Sequence, residues 1–130
     1  MKTLALLAAP VAALAACGGR GEAGKHIEAS LELQGRWRGA IAEYDEAIRD
    51  YGEAIRIDPE LAAAYNNRSV AYDDLGQPQR AIADYGEAIR LDPNLAQAYS
   101  NRGNLYLSLG DYQRAVQDLG EAINLDPQLA

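Results

Sequence analysis

A catalytic centre needs a nucleophile, an acid–base pair or a set of metal ligands. Few residues of this 130-residue sequence could supply one. It has one Cys, Cys17, and one His, His26. That inventory excludes a disulfide within the chain and a zinc site of the usual multi-Cys/His kind. His26 lies near Glu22 and Glu28 in a stretch with few large apolar residues, and reads as a surface side chain. Asp73 and Asp74 form a paired acid beside Gly76, most simply a solvated helix end. Gly18, Gly19 and Gly21 lack the strand–loop–helix setting of a phosphate-binding loop. No catalytic residue, metal site or cofactor is therefore expected. An enzyme would require a further domain beyond these residues.

Composition narrows the class in the same direction. Nineteen Asp and Glu stand against 12 Lys and Arg, a net charge of −7. No basic stripe follows a phosphate backbone, so nucleic acid is not an expected partner. Phe is absent, while Ala, Leu, Glu and Arg are plentiful, which favours helix over sheet.

The start of the chain carries a separate message. Residues 1–16 read MKTLALLAAPVAALAA, a short positive start followed by an uncharged apolar run. The run is too short to span a bilayer as a helix, which needs roughly 20 apolar residues, but it suits a secretory signal peptide. Leu14-Ala15-Ala16-Cys17 resembles the bacterial lipoprotein signal, which implies that Cys17 is lipidated and becomes the new N-terminus. The alternatives are an ordinary signal peptide with an incidental Cys17, or a buried N-terminal helix. Gly18 rather than Asp after the Cys implies an outer-membrane destination under the enterobacterial sorting rule. Residues 17–24 would then be a lipidated Cys and a tether too Gly-rich for regular structure.

The remaining positions must be organised by something periodic. The phrase Glu-Ala-Ile-Arg begins at Glu46, Glu53 and Glu87, and returns as Glu-Ala-Ile-Asn at Glu121. Glu53, Glu87 and Glu121 stand 34 residues apart. Residues 61–93, LAAAYNNRSVAYDDLGQPQRAIADYGEAIRLDP, align with residues 95–127, LAQAYSNRGNLYLSLGDYQRAVQDLGEAINLDP. Apolar residues at helical spacing (Ala81, Ile82, Tyr85, Ala88, Ile89; Ala115, Val116, Leu119, Ala122, Ile123) predict an amphipathic second helix in each block. Gly76 and Gly110 divide each block into two helices, and Pro93 and Pro127 end them. Asp58, Asp92 and Asp126, each just before Pro, are expected to cap the helices that follow.

This period and its Ala-Tyr, Leu-Gly, Ala, Ala and Pro spacing resemble the tetratricopeptide repeat (TPR). The resemblance implies an all-α solenoid of about three helix–turn–helix repeats: residues 21–61, 62–95 and 96–130. Between residues 35 and 57 the sequence repeats at seven residues, about two helical turns. The first repeat is therefore expected to be atypical, with a first helix over about 22–34 and a second, lengthened by a heptad, over about 36–57. The last repeat is expected to lack an extra covering helix. Its Val116, Leu119 and Ile123 surface would meet a partner or another copy, or the sequence is a fragment.

Two further expectations concern side chains. Arg68 and Arg102 occupy positions normally buried, and each has an Asp sixteen residues on, Asp84 and Asp118, predicting two ion pairs inside the repeats. Gly52, Gly86 and Gly120, inside second helices, suggest tight helix contacts. By the resemblance, first helices line a peptide-binding groove. Here it would offer Asn66, Asn67, Asp73, Asp74, Asn101 and Asn104. The clamp with which chaperone-binding members grip a C-terminal carboxylate is kept at Lys25 and Asn67 but has Ala29, Gln97 and Asn101 at its other three places, which disfavours that partner class. Asn67 and Asn101 resemble an asparagine ladder able to pair with a peptide backbone. The function implied is a protein-interaction scaffold of the bacterial cell envelope, lipid-anchored to the membrane and facing the periplasm, binding a protein or extended peptide. The alternative is a self-associating module that forms a homodimer.

Overall fold

The computed structural model describes residues 22–129, all helical apart from short connections. The signal peptide and Cys17 lie outside the described residues. The helices are α1 (Glu22–Ile57), α2 (Ala62–Asp74), α3 (Pro78–Leu91), α4 (Ala96–Ser108) and α5 (Tyr112–Leu125), followed by a 3-10 turn, Pro127–Leu129. By contact the chain divides into two units between Glu43 and Tyr44.

The first unit holds the N-terminal part of α1. There the expected hairpin does not form. One helix of 36 residues, about 54 Å long, runs through Gly35 and Gly39 without a break. An added Cβ at either glycine would meet nothing within 4 Å, so no neighbouring segment forces a turn there. Leu31, Leu33 and Trp37 remain exposed, so no core among the described residues rewards folding residues 22–34 back. The backbone then follows its helix propensity. The same preference shortens the expected tether, because residues 22–24 are already helical.

The second unit contains the end of α1 from Tyr44 and two successive helix–turn–helix pairs, α2/α3 and α4/α5, packed on each other. Small residues set the helix spacing: Ala81, Ala88, Ala98, Ala115 and Ala122 are all buried. Around them Tyr85 and Leu105 fill the core, with Tyr65, Tyr72, Ile82, Ile89 and Leu95 packed at its margin. Each hairpin turns on a glycine in the left-handed region, Gly76 at φ 74° and Gly110 at φ 81°. A Cβ is strained there. The chain closes each turn with a backbone bond, Gln77 N–H to Tyr72 O and Asp111 N–H to Tyr106 O.

The Asp-Pro pairs act differently from the sequence expectation. The residues that precede α2 and α4 are Leu61 and Leu95, and neither makes a side-chain cap. Asp58 and Asp92 instead accept from the N–H two residues on, Glu60 and Asn94, at 3.1 Å. These are Asx turns that reverse the chain between hairpins. Asp111 is a true cap, accepting from the Arg114 N–H at 3.2 Å.

The recurring Glu-Ala-Ile-Arg phrase now has a physical content. Its Ala is buried at Ala88 and Ala122 and half-buried at Ala47 and Ala54, while Glu53–Arg56 and Glu87–Arg90 form surface ion pairs one turn apart. Such exposed pairs contribute little. The mid-helix glycines are not the tight contacts expected of them. A Cβ on Gly52 or Gly86 would meet only an arginine Nη1, at 3.8 or 3.9 Å, and on Gly120 nothing. Gly120→Ala should therefore raise stability by up to about 1 kcal/mol through helix propensity alone, read as a higher urea midpoint with unchanged slope.

Candidate functional site

The first helices of the two hairpins, α2 and α4, lie next to each other, joined where Asn101 Nδ2 donates to Asn66 Oδ1 at 3.4 Å. On α2, Asn66, Asn67, Val70, Asp73 and Asp74 recur at three- and four-residue spacing, which puts them on one face. On α4, Gln97, Asn101, Asn104 and Leu107 do the same. The two faces together form a polar strip with apolar points in it.

The expected residues are not equivalent in place. Asn67, Asp74 and Asn104 are exposed, and Asp73 and Asn101 are half-buried. Asn66 is only 7% exposed and spends its carbonyl oxygen on Asn101. The structure thus pairs Asn101 with Asn66 across the helices and leaves Asn67 facing solvent. At 3.4 Å that bond is long. Sequence reasoning missed Val70 and Leu107, which are 37% and 49% exposed on the same faces. Helical spacing from Asn67 and Asn104 would have found them. Of the clamp positions, Lys25 and Ala29 lie on α1 in the other unit. His26 is exposed.

Beneath the strip are the two predicted ion pairs. Arg68 Nε and Nη2 bind Asp84 at 2.6 and 2.8 Å, and Arg102 binds Asp118 with the same two distances. Each guanidinium also lies over two tyrosine rings, Tyr65 and Tyr72 for Arg68, Tyr99 and Tyr106 for Arg102, with ring centres 5.5 to 5.9 Å away. Hydrogen bonding to the carboxylate raises each arginine's pKa further. All four charged groups are committed to holding the repeats together.

Asp73 differs. Burial, and then the neighbouring Asp74, push its carboxyl pKa up, and no cation offsets them among the described residues. A carboxyl whose native pKa is raised holds its proton more firmly folded than unfolded, so it costs stability at neutral pH and stops doing so as pH falls. Asp73→Asn should therefore melt higher than the parent at pH 7. The gap should close as pH falls through the aspartate range, a comparison made by thermal denaturation at several pH values.

The described residues include no group of three or more His, Cys, Asp or Glu able to hold a metal ion. No helix among them is long and apolar enough to cross a membrane. What the strip can do chemically is donate and accept hydrogen bonds, contact apolar side chains and attract cations.

Comparison with known proteins agrees with this geometry. Residues 43–76 and 71–110 match a family model described as TPR repeat, and residues 96–129 match one described as Tetratricopeptide repeat. The Arabidopsis OM64 TPR domain is similar at 33% identity and TM-score 0.65, over 71% of this chain and 74% of that one. The first TPR of Spaghetti (RPAP3), bound to the HSP90 peptide SRMEEVD, is similar at 30% identity and TM-score 0.64, covering 75% and 78%. The TPR2B domain of yeast Sti1, in a complex with pHsp70, is similar at 31% identity and TM-score 0.64, with the same coverage.

Proposed function

Because the chain belongs to the tetratricopeptide-repeat family, we propose that it is a non-catalytic scaffold whose α2–α4 strip holds an extended segment of a partner protein. The observation that carries this is the strip itself. Exposed Asn67 and Asn104 alternate with exposed Val70 and Leu107 beside the Asn66–Asn101 bond. Amides pair with a peptide backbone whatever its side chains, and the apolar points add affinity without demanding one sequence. Support also comes from similar solved domains, one bound to an HSP90 peptide and one in a complex with pHsp70.

Titrating the protein with a random amidated heptapeptide mixture should move the amide resonances of Asn67, Val70, Asn104 and Leu107. The double variant Asn67→Ala/Asn101→Ala should weaken binding about tenfold, the order expected for one or two lost hydrogen bonds. Unchanged affinity, or shifts confined to other helices, refutes the strip as the binding site.

The setting we propose is the bacterial cell envelope, with the chain anchored by lipid on Cys17 at the outer membrane and facing the periplasm. The support is the apolar run of residues 4–16 and the Leu-Ala-Ala-Cys sequence that ends it. Metabolic labelling with an alkyne fatty acid should tag the parent and not Cys17→Ser. Equal labelling of both removes this reading.

One observation favours self-association as a second reading. Val116 and Ile123 on α5 are 71% and 46% exposed, whereas their counterparts Ile82 and Ile89 on α3 pack against the core. A concentration-dependent dimer in light scattering that Val116→Asp abolishes would favour it. A monomer at all concentrations excludes it.

A further inference from the structure

The N-terminal unit leaves an apolar face of α1 exposed. Leu33, Trp37 and Ala40 follow one another at four- and three-residue spacing, which puts them on one side of the helix. Leu33 and Trp37 are 52% and 53% exposed. With Arg36 these three line a shallow hollow of about 280 Å³. Charge sets the same stretch apart. Residues 33–42 hold Arg36 and Arg38 and no acid, whereas residues 43–130 hold sixteen acids against seven arginines. Consecutive helical residues lie about 100° apart, so Arg36 and Arg38 flank Trp37 on either side. Cys17 is close by along the chain. It precedes Glu22, where α1 begins, by five residues, a reach of at most about 18 Å.

We propose that the N-terminal half of α1 lies on an anionic lipid bilayer, with Leu33, Trp37 and Ala40 sunk to headgroup depth and Arg36 and Arg38 on acidic headgroups. The inference rests on Cys17 being the anchored end. Three side chains bury little apolar area by themselves, but a lipid on Cys17 keeps them beside the surface at high effective concentration. An indole suits this depth, because its ring is apolar and its N–H finds a headgroup acceptor. The arginine stems can run along the acyl boundary while their charged ends stay among the headgroups. Acidic residues 43–130 are repelled by the same surface, so contact is confined to this half of the helix. A two-fold dimer through this face would set the same arginines against each other, which disfavours a second copy as its occupant.

The chain carries its own probes, since Trp37 is its only Trp and Cys17 its only Cys. Residues 17–130 are coupled through Cys17 to maleimide lipid in phosphatidylethanolamine–phosphatidylglycerol vesicles. Trp37 emission should shift to the blue and be quenched by lipid carrying a nitroxide headgroup. Leu33→Glu should lose both effects with an unchanged circular dichroism spectrum. Leu31→Glu, about 160° around the helix from Leu33, should keep them. Trp37 emission that stays as it is without lipid overturns the inference, while fatty-acid labelling of Cys17 in cells would still uphold the anchor. Absence of that label removes the anchor and the inference with it. Equal burial of Trp37 on phosphatidylcholine vesicles overturns the choice of an anionic surface. A blue shift that grows with protein concentration without lipid puts a second copy on the face and overturns the inference as well.

Discussion

Asp118→Ala is expected to destabilise the protein by about 3–5 kcal/mol, the cost of leaving one member of a buried ion pair without its partner. The Asp118 side chain is 9% exposed and that of Arg102 is 20% exposed, so water cannot replace either partner freely. The two bonds are a parallel fork, which fixes geometry as well as charge. Tyr99 and Tyr106 flank the guanidinium and would still attract it after the substitution, at about 0.5–1 kcal/mol each. Arg102→Ala should cost a similar amount because it strands Asp118. The double replacement Arg102→Leu/Asp118→Leu should cost much less than the sum, since an apolar pair leaves no unsatisfied charge. Equilibrium urea unfolding of the four proteins gives the coupling directly. Additive effects would show that the fork is incidental to stability. The same cycle at Arg68 and Asp84, with matching bond lengths, should give the same answer within error.

The second large effect is expected at Gly103. A Cβ placed there would lie 2.8 Å from Leu119 Cγ, 3.0 Å from its Cδ2 and 3.2 Å from Asp118 Cβ. The first of these is closer than real Cβ contacts come, and Cγ is a branch point rather than a free end. Gly103→Ala should therefore destabilise by about 1–3 kcal/mol through overpacking, although Ala favours helix. Gly103→Val should cost more. The opposite sign expected for Gly120→Ala makes a sharp comparison, because both glycines lie inside helices and only one has a neighbour at this distance. If Gly103→Ala stabilises instead, Leu119 has room to move and the α4–α5 packing is looser than described.

The contrast between those glycines shows how much a sequence can carry. Gly86 and Gly120 recur at the repeat period and looked like the places of close helix approach, while Gly103 has no counterpart, since Ser69 stands one period earlier. Yet of these glycines only Gly103 has a neighbouring helix within 3.4 Å of an added Cβ. Periodicity marks a position as repeated without saying what opposes it in space. The ion pairs were legible for the converse reason. A charged residue at a position otherwise buried needs an opposite charge, and a helix hairpin brings residues sixteen apart together. The groove was half legible. Its polar residues could be placed on first helices, but Asn66 turned inward to Asn101 and the apolar Val70 and Leu107 turned outward.

By itself the sequence determined the helical class, the hairpins of residues 61–93 and 95–127, the glycine turns and the charge inventory. These follow from local rules of spacing, capping and propensity, and each hairpin carries its own ion pair. Tertiary structure alone decided that residues 22–57 form one helix rather than two. Turning at Gly35 would be rewarded only by a surface to pack against, and exposed Leu31, Leu33 and Trp37 show that none is present there among the described residues. It also decided which asparagines face solvent and that Asp73 and Asp74 go uncompensated, because both depend on what other helices bring within a few ångströms.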